Sequence, residues 1–245
     1  MVSPQVLEVV RDFWAHDLGA HLSALDRPGL VFTEAADAAD VMVVGLLGAV
    51  VVAAPAQAID HLRTAAIGQL TALDGLATAV GPWLDRPLGI NRLSYADDVM
   101  LHPPPADQHL TRISPTDPRL AALRAGCSPE DWQVAGLDET IDQLFGVVDG
   151  ERLSAVAGFG SWDQKLAQVM VLTHPGQRGQ GLAAMVAGAA ASAGLQDGLV
   201  AQWRVRLDNH RSRAVARNLG FEPIGVQLAL SIRPTPSTPD PVKSP

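Results

Sequence analysis

One segment of the sequence, residues 174–184, limits most strongly what the chain can fold into. It reads His-Pro-Gly-Gln-Arg-Gly-Gln-Gly-Leu-Ala-Ala and joins an apolar, strand-like run at 166–173 to an alanine-rich, helix-like run at 182–193. The start of a helix carries backbone N–H groups without partners and the positive end of the helix dipole, which together favour phosphate. Gly179 and Gly181 permit backbone conformations that a side chain would forbid. The segment therefore predicts a site for a phosphorylated cofactor.

Three phosphate-binding motifs can be compared with this loop. A P-loop has Lys-Ser or Lys-Thr after its last glycine, where this chain has Leu182 and Ala183. A dinucleotide fingerprint needs a third glycine and an acidic residue roughly 20 positions later. Here Ala184 takes the third glycine's place, and Asp197 falls before the next strand instead of at its end. The remaining pattern, R-x-x-G-x-A starting at Arg178, resembles the coenzyme A pyrophosphate loop of the Gcn5-related N-acetyltransferases (GNAT). An ordinary turn before a helix is the alternative interpretation.

A second segment downstream strengthens this resemblance. Residues 199–206 alternate between apolar and polar side chains, as a half-buried strand does. Asn209 or the residue before it is a good helix N-cap, and Gly220 is a suitable stop. Asn209, Ser212 and the closing Leu-Gly-Phe at Gly220 resemble the second GNAT signature. One helix and one strand separate the two signatures, as in the family, so the resemblance covers about residues 107–233.

The resemblance implies a fold and an activity. The implied fold is α/β (α+β), with a GNAT-type mixed, mostly antiparallel sheet flanked by helices. The implied reaction moves an acetyl group from acetyl-CoA, a co-substrate, directly to a small-molecule or peptide amine in a ternary complex, without a metal. Two other functions stay open. One is a non-catalytic acyl-CoA-binding regulatory or sensor module, and the other is a nucleotide-binding domain of another fold.

The resemblance also assigns residues to the cofactor. The backbone at the end of the strand 166–173 would pair with the pantetheine arm, the glycine loop would donate N–H groups to the pyrophosphate, and Asn209 would hydrogen-bond the arm. The residues assigned to the cofactor are Val171, Leu172, Thr173, Gln177, Arg178, Gly179, Gln180, Gly181, Leu182, Ala183, Ala184, Asn209 and Ser212.

The catalytic acid and base stay unassigned. Many GNAT enzymes carry a tyrosine in the helix after the asparagine, where this chain has Ala216. The only tyrosine, Tyr95, lies outside the matched region. Residues 166–173 contain no carboxylate, although the family often has a glutamate there. Four weak candidates remain, each with helix capping or surface charge as its alternative: Asp163, His174, Glu130 and Asp131.

The rest of the chain differs from this region in its sequence pattern. The predicted domains are an N-terminal α/β domain over 1–105, a GNAT acetyltransferase domain over 106–233 and a disordered tail, rich in Pro, Ser and Thr, over 234–245. The proline run 103–105 is the predicted boundary. We expect Pro82 and Pro87 to break the chain that follows a short helix at 73–80. The N-terminal half is interpreted as a degenerate GNAT-like half or as an appended layer, and both stay open.

Composition excludes several classes of function. A net charge of −8 argues against nucleic-acid binding through a basic surface. The single cysteine, Cys127, excludes an internal disulfide and a cysteine-rich zinc site. The longest apolar run, residues 41–56, is shorter than the roughly 20 residues that span a bilayer, and no signal peptide opens the chain. We therefore expect a cytoplasmic protein without nucleic-acid or membrane partners, and leave a homodimer open.

Overall fold

A computed structural model describes residues 2–35, 39–100, 109–138 and 140–233. The helices are Pro4–Asp17 (α1), Ala56–Leu62 (α2), Ile67–Leu70 (α3), Leu73–Val80 (α4), Pro118–Ala125 (α5), Pro129–Ala135 (α6), Leu182–Gln196 (α7) and His210–Asn218 (α8). The strands are Gly29–Glu34 (β1), Asp40–Leu46 (β2), Ala49–Ala54 (β3), Leu84–Ala96 (β4), His109–Ile113 (β5), Gln143–Asp149 (β6), Arg152–Trp162 (β7), Leu166–Thr173 (β8), Val200–Arg206 (β9) and Glu222–Ile232 (β10).

The chain divides into two compact units, each discontinuous in sequence. The first unit contains Met1–Trp14 and Asn91–Gly225, and the second contains Ala15–Ile90 and the chain from Val226 onward. The predicted boundary at prolines 103–105 and the predicted tail lie outside the described residues, so the predicted domain limits stay a prediction.

The sheet of the first unit follows the predicted class. Its strands are ordered β4-β9-β8-β7-β6-β5, and every adjacent pair except β8–β9 is antiparallel. Tight hairpins produce this arrangement. Gly150, between β6 and β7, has φ +55°, and Asp163 and Gln164, between β7 and β8, have φ +49° and +53°. The prediction of a mixed, mostly antiparallel sheet is confirmed.

Helices cover both faces of this sheet. On one face α7 buries its alanine-rich surface against β7, β8 and β9 in a cluster that contains Val169, Ala187 and Trp203. On the other face α5 and α6 pack against β6, β7 and β8. The sequence predicts helix entries at Asp117 and Ser128, since both residue types are good N-caps. Both side chains do accept hydrogen bonds from first-turn N–H groups of the two short helices.

The second unit is also α/β. Strand β3 is fully buried and pairs with β1 in parallel and with β2 in antiparallel orientation. Helices α2 and α4 cover this sheet, with Leu62 and Leu76 completely buried in the same apolar cluster as Leu228 and Leu230 of β10. The sequence predicts strands at 30–33, 41–45 and 49–53, and β1, β2 and β3 confirm them. It also predicts a helix from Pro55 toward Leu70, where the structure has two helices, α2 and α3.

The expected break at Pro82 and Pro87 is wrong. Strand β4 begins two residues after Pro82 and continues through Pro87 for 13 residues. Residues 85–88 are exposed, and a proline is tolerated where its missing N–H costs the sheet no ladder hydrogen bond. Counting Pro87 as a breaker therefore concealed strand β4.

The close approach of α7 to β8 predicts a large effect of one methyl group. A Cβ atom on Gly194 would lie 2.5 Å from the Cβ atom of Ala167, so Gly194→Ala must push the helix from the strand. We expect the free energy of unfolding to fall by about 1–3 kcal/mol in chemical denaturation. Gly68→Ala in α3 is the matched control, since a Cβ there meets nothing within 4 Å. Equal stability of the two variants would contradict the prediction.

Candidate functional site

Strands β8 and β9 are paired over only the first part of their length and then diverge. They pair only over Leu166–Gln168 and Val200–Gln202. Beyond these pairs β8 continues to Thr173 beside β7, and β9 continues to Arg206 beside β4. In the described chain, residues 169–173 of β8 are paired with β7 and not with β9. The result is a wedge-shaped gap in the sheet with a strand edge along one side.

A cleft of about 1020 Å³ lies at this gap, within the first unit. It is lined by the diverging parts of β8 and β9, by the loop after β8, and by residues of α6, α7 and α8. Pockets for small molecules and cofactors typically measure about 300–1,000 Å³. The cleft is therefore large enough for an extended cofactor.

The glycine loop forms one end of the cleft. Gly179 and Gly181 have φ +83° and +80°, and Gly181 is the N-cap of the 15-residue helix α7. Both conformations favour glycine. A Cβ on Gly179 would meet nothing within 4 Å, and one on Gly181 would meet only Met185 Cε at 3.9 Å. This open space lets a ligand approach the backbone, so the loop fits an anion bound at the helix N-terminus.

The structure gathers nearly all the predicted cofactor residues at one site. Gln180 is the exception, and its exposed side chain donates to Gln177 Oε1 at 2.9 Å. The predicted residues that line the cleft are Val171, Leu172, Thr173, Gln177, Arg178, Gly179, Gly181, Leu182, Ala183, Ala184, Asn209 and Ser212. Their roles toward a cofactor stay a prediction, but their proximity is a property of the fold.

Asn209 and Ser212 also hold the fold together. Asn209 is the N-cap of α8, and its Oδ1 accepts from the Ser212 backbone N–H at 3.0 Å. The Ser212 hydroxyl in turn accepts from Nε1 of Trp203 at 3.0 Å. These two bonds fasten the start of α8 to β9, so both residues have a structural role beside any contact with a ligand.

Of the four catalytic candidates of the sequence, Asp131 lines the cleft and the other three do not. Asp163 lies in the β7–β8 hairpin, with a carboxylate oxygen 3.5 Å from Lys165 Nζ. His174 follows β8, and its Nδ1 accepts from the Gly176 N–H at 3.2 Å. Its ring packs against Gly126 at the end of α5. A catalytic role for Asp163 or His174 stays a prediction that the geometry does not support.

An ion pair across the cleft was not expected from the sequence. Arg178 of the glycine loop lies 3.0 Å from an Asp131 carboxylate oxygen on α6, and its Nε donates to the Thr173 carbonyl at 3.3 Å. Burial raises the pKa of Asp131, but hydrogen bonds from Ser128 and Arg178 outweigh it and hold the pKa below its usual value. Asp131 is therefore charged at neutral pH and competes with any anion for Arg178.

This competition predicts that Asp131→Asn strengthens anion binding. We expect the affinity for inorganic pyrophosphate to rise about two- to fivefold, the range for a partly exposed ion pair, as measured by calorimetry. Asp138→Asn is the matched control, because Asp138 pairs with Arg124 at 3.3 Å and does not line the cleft. An unchanged or lower affinity in Asp131→Asn would show that Arg178 does not meet the anion.

The described part of the chain contains neither a metal-binding cluster nor a membrane-spanning helix. No group of three or more His, Cys, Asp and Glu side chains is placed to hold a metal ion. No helix among the described residues is both long and apolar enough to cross a bilayer.

Part of this chain matches the model of one known protein family. The family model for GNAT acetyltransferases matches residues 145–226, which run from β6 into β10 and contain the glycine loop. No curated protein matches the chain.

Several solved structures are similar at low identity. They include a putative GNAT-family acetyltransferase from Novosphingobium aromaticivorans (22% identity, 61% of this chain and 68% of that one, TM-score 0.45). Another is a GCN5-related N-acetyltransferase from Kribbella flavida (17%, 66% and 65%, 0.48). A third is a tandem GNAT protein from the clavulanic acid biosynthesis pathway (20%, 66% and 59%, 0.46). This chain spans less than two thirds of the last two proteins.

With TM-scores below 0.5, these neighbours say nothing about substrate or mechanism, and the assignment depends on the family match. That match falls on the segment whose glycine loop, strand edge and asparagine-capped helix surround the cleft. Residues 145–226 are therefore similar to the GNAT acetyltransferase family.

Proposed function

We propose that the protein is an N-acetyltransferase that uses acetyl-CoA and transfers the acetyl group directly to an amine in a ternary complex. The observation that carries this proposal is the gap between β8 and β9, which opens beside a glycine loop within the family-matched segment. Acetyl-CoA would supply the acyl group as a thioester.

The residues of the cleft suit the parts of such a donor. The N–H groups at the start of α7 are the proposed partners of the pyrophosphate, with Arg178 as an added positive charge. The edge of β8 is the proposed partner of the amide-containing arm. Thr173 supports this assignment, because its hydroxyl oxygen is buried in the described chain without a hydrogen-bond partner, and buried polar atoms normally have one.

Holding donor and amine together is the main catalytic contribution that we propose. Positioning two reactants in one site can supply a large part of a rate enhancement. The amine must lose a proton before it attacks. Asp131 is the only carboxylate among the described residues that line the cleft, and it is paired with Arg178. We therefore propose that water removes this proton and that no single side chain is essential as the base.

One observation favours a second function, a non-catalytic acyl-CoA-binding module. Asp163 and His174 lie outside the cleft, so the described residues offer no unengaged acid or base there. The two functions predict different results with a panel of small amines and peptides. We expect an amine-dependent release of coenzyme A thiol, measured with a thiol reagent. Tight binding of acetyl-CoA without thiol release for any amine would support the module.

A glycine substitution tests the cofactor and the loop together. Gly181→Glu places a side chain and a negative charge where the pyrophosphate is proposed to lie. We expect wild-type protein to bind acetyl-CoA in calorimetry and Gly181→Glu to lose that binding. Gly198→Glu is the matched control, since Gly198 has nearly the same φ (+81°), faces open space and lies beyond the other end of α7.

The outcomes separate three explanations. Loss of binding in Gly181→Glu alone supports the proposed site. Loss in both variants would trace the effect to backbone strain at a left-handed glycine, because both substitutions impose it. Absence of binding by well-folded wild-type protein would reject the acetyl-CoA-dependent function.

A further inference from the structure

A series of hydrogen-bonded, buried polar side chains runs across neighbouring strands of the first unit's sheet. Trp14 Nε1 donates to the Tyr95 hydroxyl at 2.7 Å, and this hydroxyl donates to Gln202 Oε1 at 2.7 Å. Gln202 Nε2 then donates to Gln168 Oε1 at 2.9 Å. Gln168 Nε2 completes the chain by donating to the backbone carbonyl of Val169 at 3.0 Å. The first three hydrogen bonds of this series therefore all run in one direction, toward Gln168.

The chain ends where the cleft closes. Gln168 and Gln202 form the last residue pair between β8 and β9, and Gln168 lines the cleft. The glycine loop lies at the other end of the same strand edge. The edge, residues 169–173, spans about 17 Å at the usual rise of a strand. A ligand anchored at the loop and extended along this edge therefore reaches Gln168 with its far end.

The amide of Gln168 is held firmly in place. Its residue is 6% exposed, and Gln202 and Tyr95 are completely buried. Burial raises the pKa of Tyr95 far above its usual value, so the hydroxyl stays protonated and remains a donor. A buried amide that loses its partner suffers a large penalty. Rotating Gln168 away would leave Gln202 Nε2 without its acceptor, so the end of the cleft is a rigid and polar wall.

The neighbours of Gln168 show how unusual this wall is. Val169, Met170 and Val171, the next residues on β8, are apolar and also line the cleft. An apolar side chain at position 168 would avoid burying one amide, but it would leave Gln202 Nε2 without its acceptor. The polar residue stands at the end where the reacting part of an extended donor would lie.

We propose that Gln168 is the end wall of the acyl site and restricts the donor to short acyl groups, with acetyl preferred. This inference rests on the proposed acetyl-CoA site. A longer acyl chain would press its methylenes against the Gln168 amide and break hydrogen bonds that nothing in the buried chain replaces. Gln168 is then the specificity-determining residue, and Gln202 and Tyr95 are positioning residues that act through it.

A series of thioesters tests the wall in the wild-type protein. Acetyl-, propionyl- and butyryl-CoA are titrated by calorimetry, which needs no acceptor amine. We expect butyryl-CoA to bind about tenfold more weakly than acetyl-CoA or worse, since a rigid site discriminates methylenes to that degree. Gln168→Ala removes the wall, and we expect the ratio of butyryl-CoA to acetyl-CoA affinity to rise about tenfold.

Two further variants test whether the ratio of butyryl-CoA to acetyl-CoA affinity depends on the Gln168 side chain. Gln133→Ala truncates an exposed glutamine of α6 that does not line the cleft, and it should leave the ratio unchanged. Tyr95→Phe removes the hydroxyl that links Trp14 to Gln202 and keeps the Gln168 side chain. It should shift the ratio of butyryl-CoA to acetyl-CoA affinity in the same direction as Gln168→Ala. A merely structural effect would weaken all three thioesters equally and leave the ratio where it is.

The possible results distinguish this inference from the proposed function. Equal binding of butyryl-CoA and acetyl-CoA by wild-type protein overturns the wall and leaves the acetyl-CoA site intact. An unchanged ratio in folded Gln168→Ala also overturns it. No binding of any thioester rejects the proposed function and this inference with it. If Gln168→Ala does not fold, the wild-type series still decides.

Discussion

The separation of β8 from β9 after Gln168 is the constraint on which the rest of the site depends. A sheet that continued to pair here would bury its backbone groups in its own ladder and leave no cleft. Because pairing stops after three residues, one edge of β8 is available beside the N-terminus of α7. The same divergence brings the glycine loop and the start of α8 to opposite sides of one space.

What the sequence could predict depended on local signals. The caps at Asp117, Ser128 and Asn209 each act within three residues, and the structure shows each of them accepting the expected hydrogen bond. The glycine loop was recognisable for the same reason, since two left-handed residues before a helix leave a short and specific pattern. The mostly antiparallel sheet and the grouping of the cofactor residues then followed from the family resemblance and not from periodicity.

What the sequence could not predict depends on contacts between distant residues. Tyr95 was set aside because it lies outside the matched region, yet it hydrogen-bonds Gln202 from 107 positions away. The Arg178–Asp131 pair joins a loop to a helix 47 positions earlier. Strand β4 was missed because Pro87 is a breaker in most contexts, and only its exposure in the folded chain makes it acceptable. Local sequence patterns do not predict such contacts between distant residues.

The discontinuity of the first unit has a consequence for how the protein is made. Trp14 leaves the ribosome 81 residues before its partner Tyr95, and Gln202 follows later still. Domains usually fold in the order in which they are synthesised. Here, however, residues 15–90 of the second unit are synthesised between Trp14 and its partners, and that unit also needs the chain from Val226 onward. The apolar surface around Phe13 and Trp14, buried in the folded protein, therefore stays without these partners until Tyr95 and Gln202 have been synthesised.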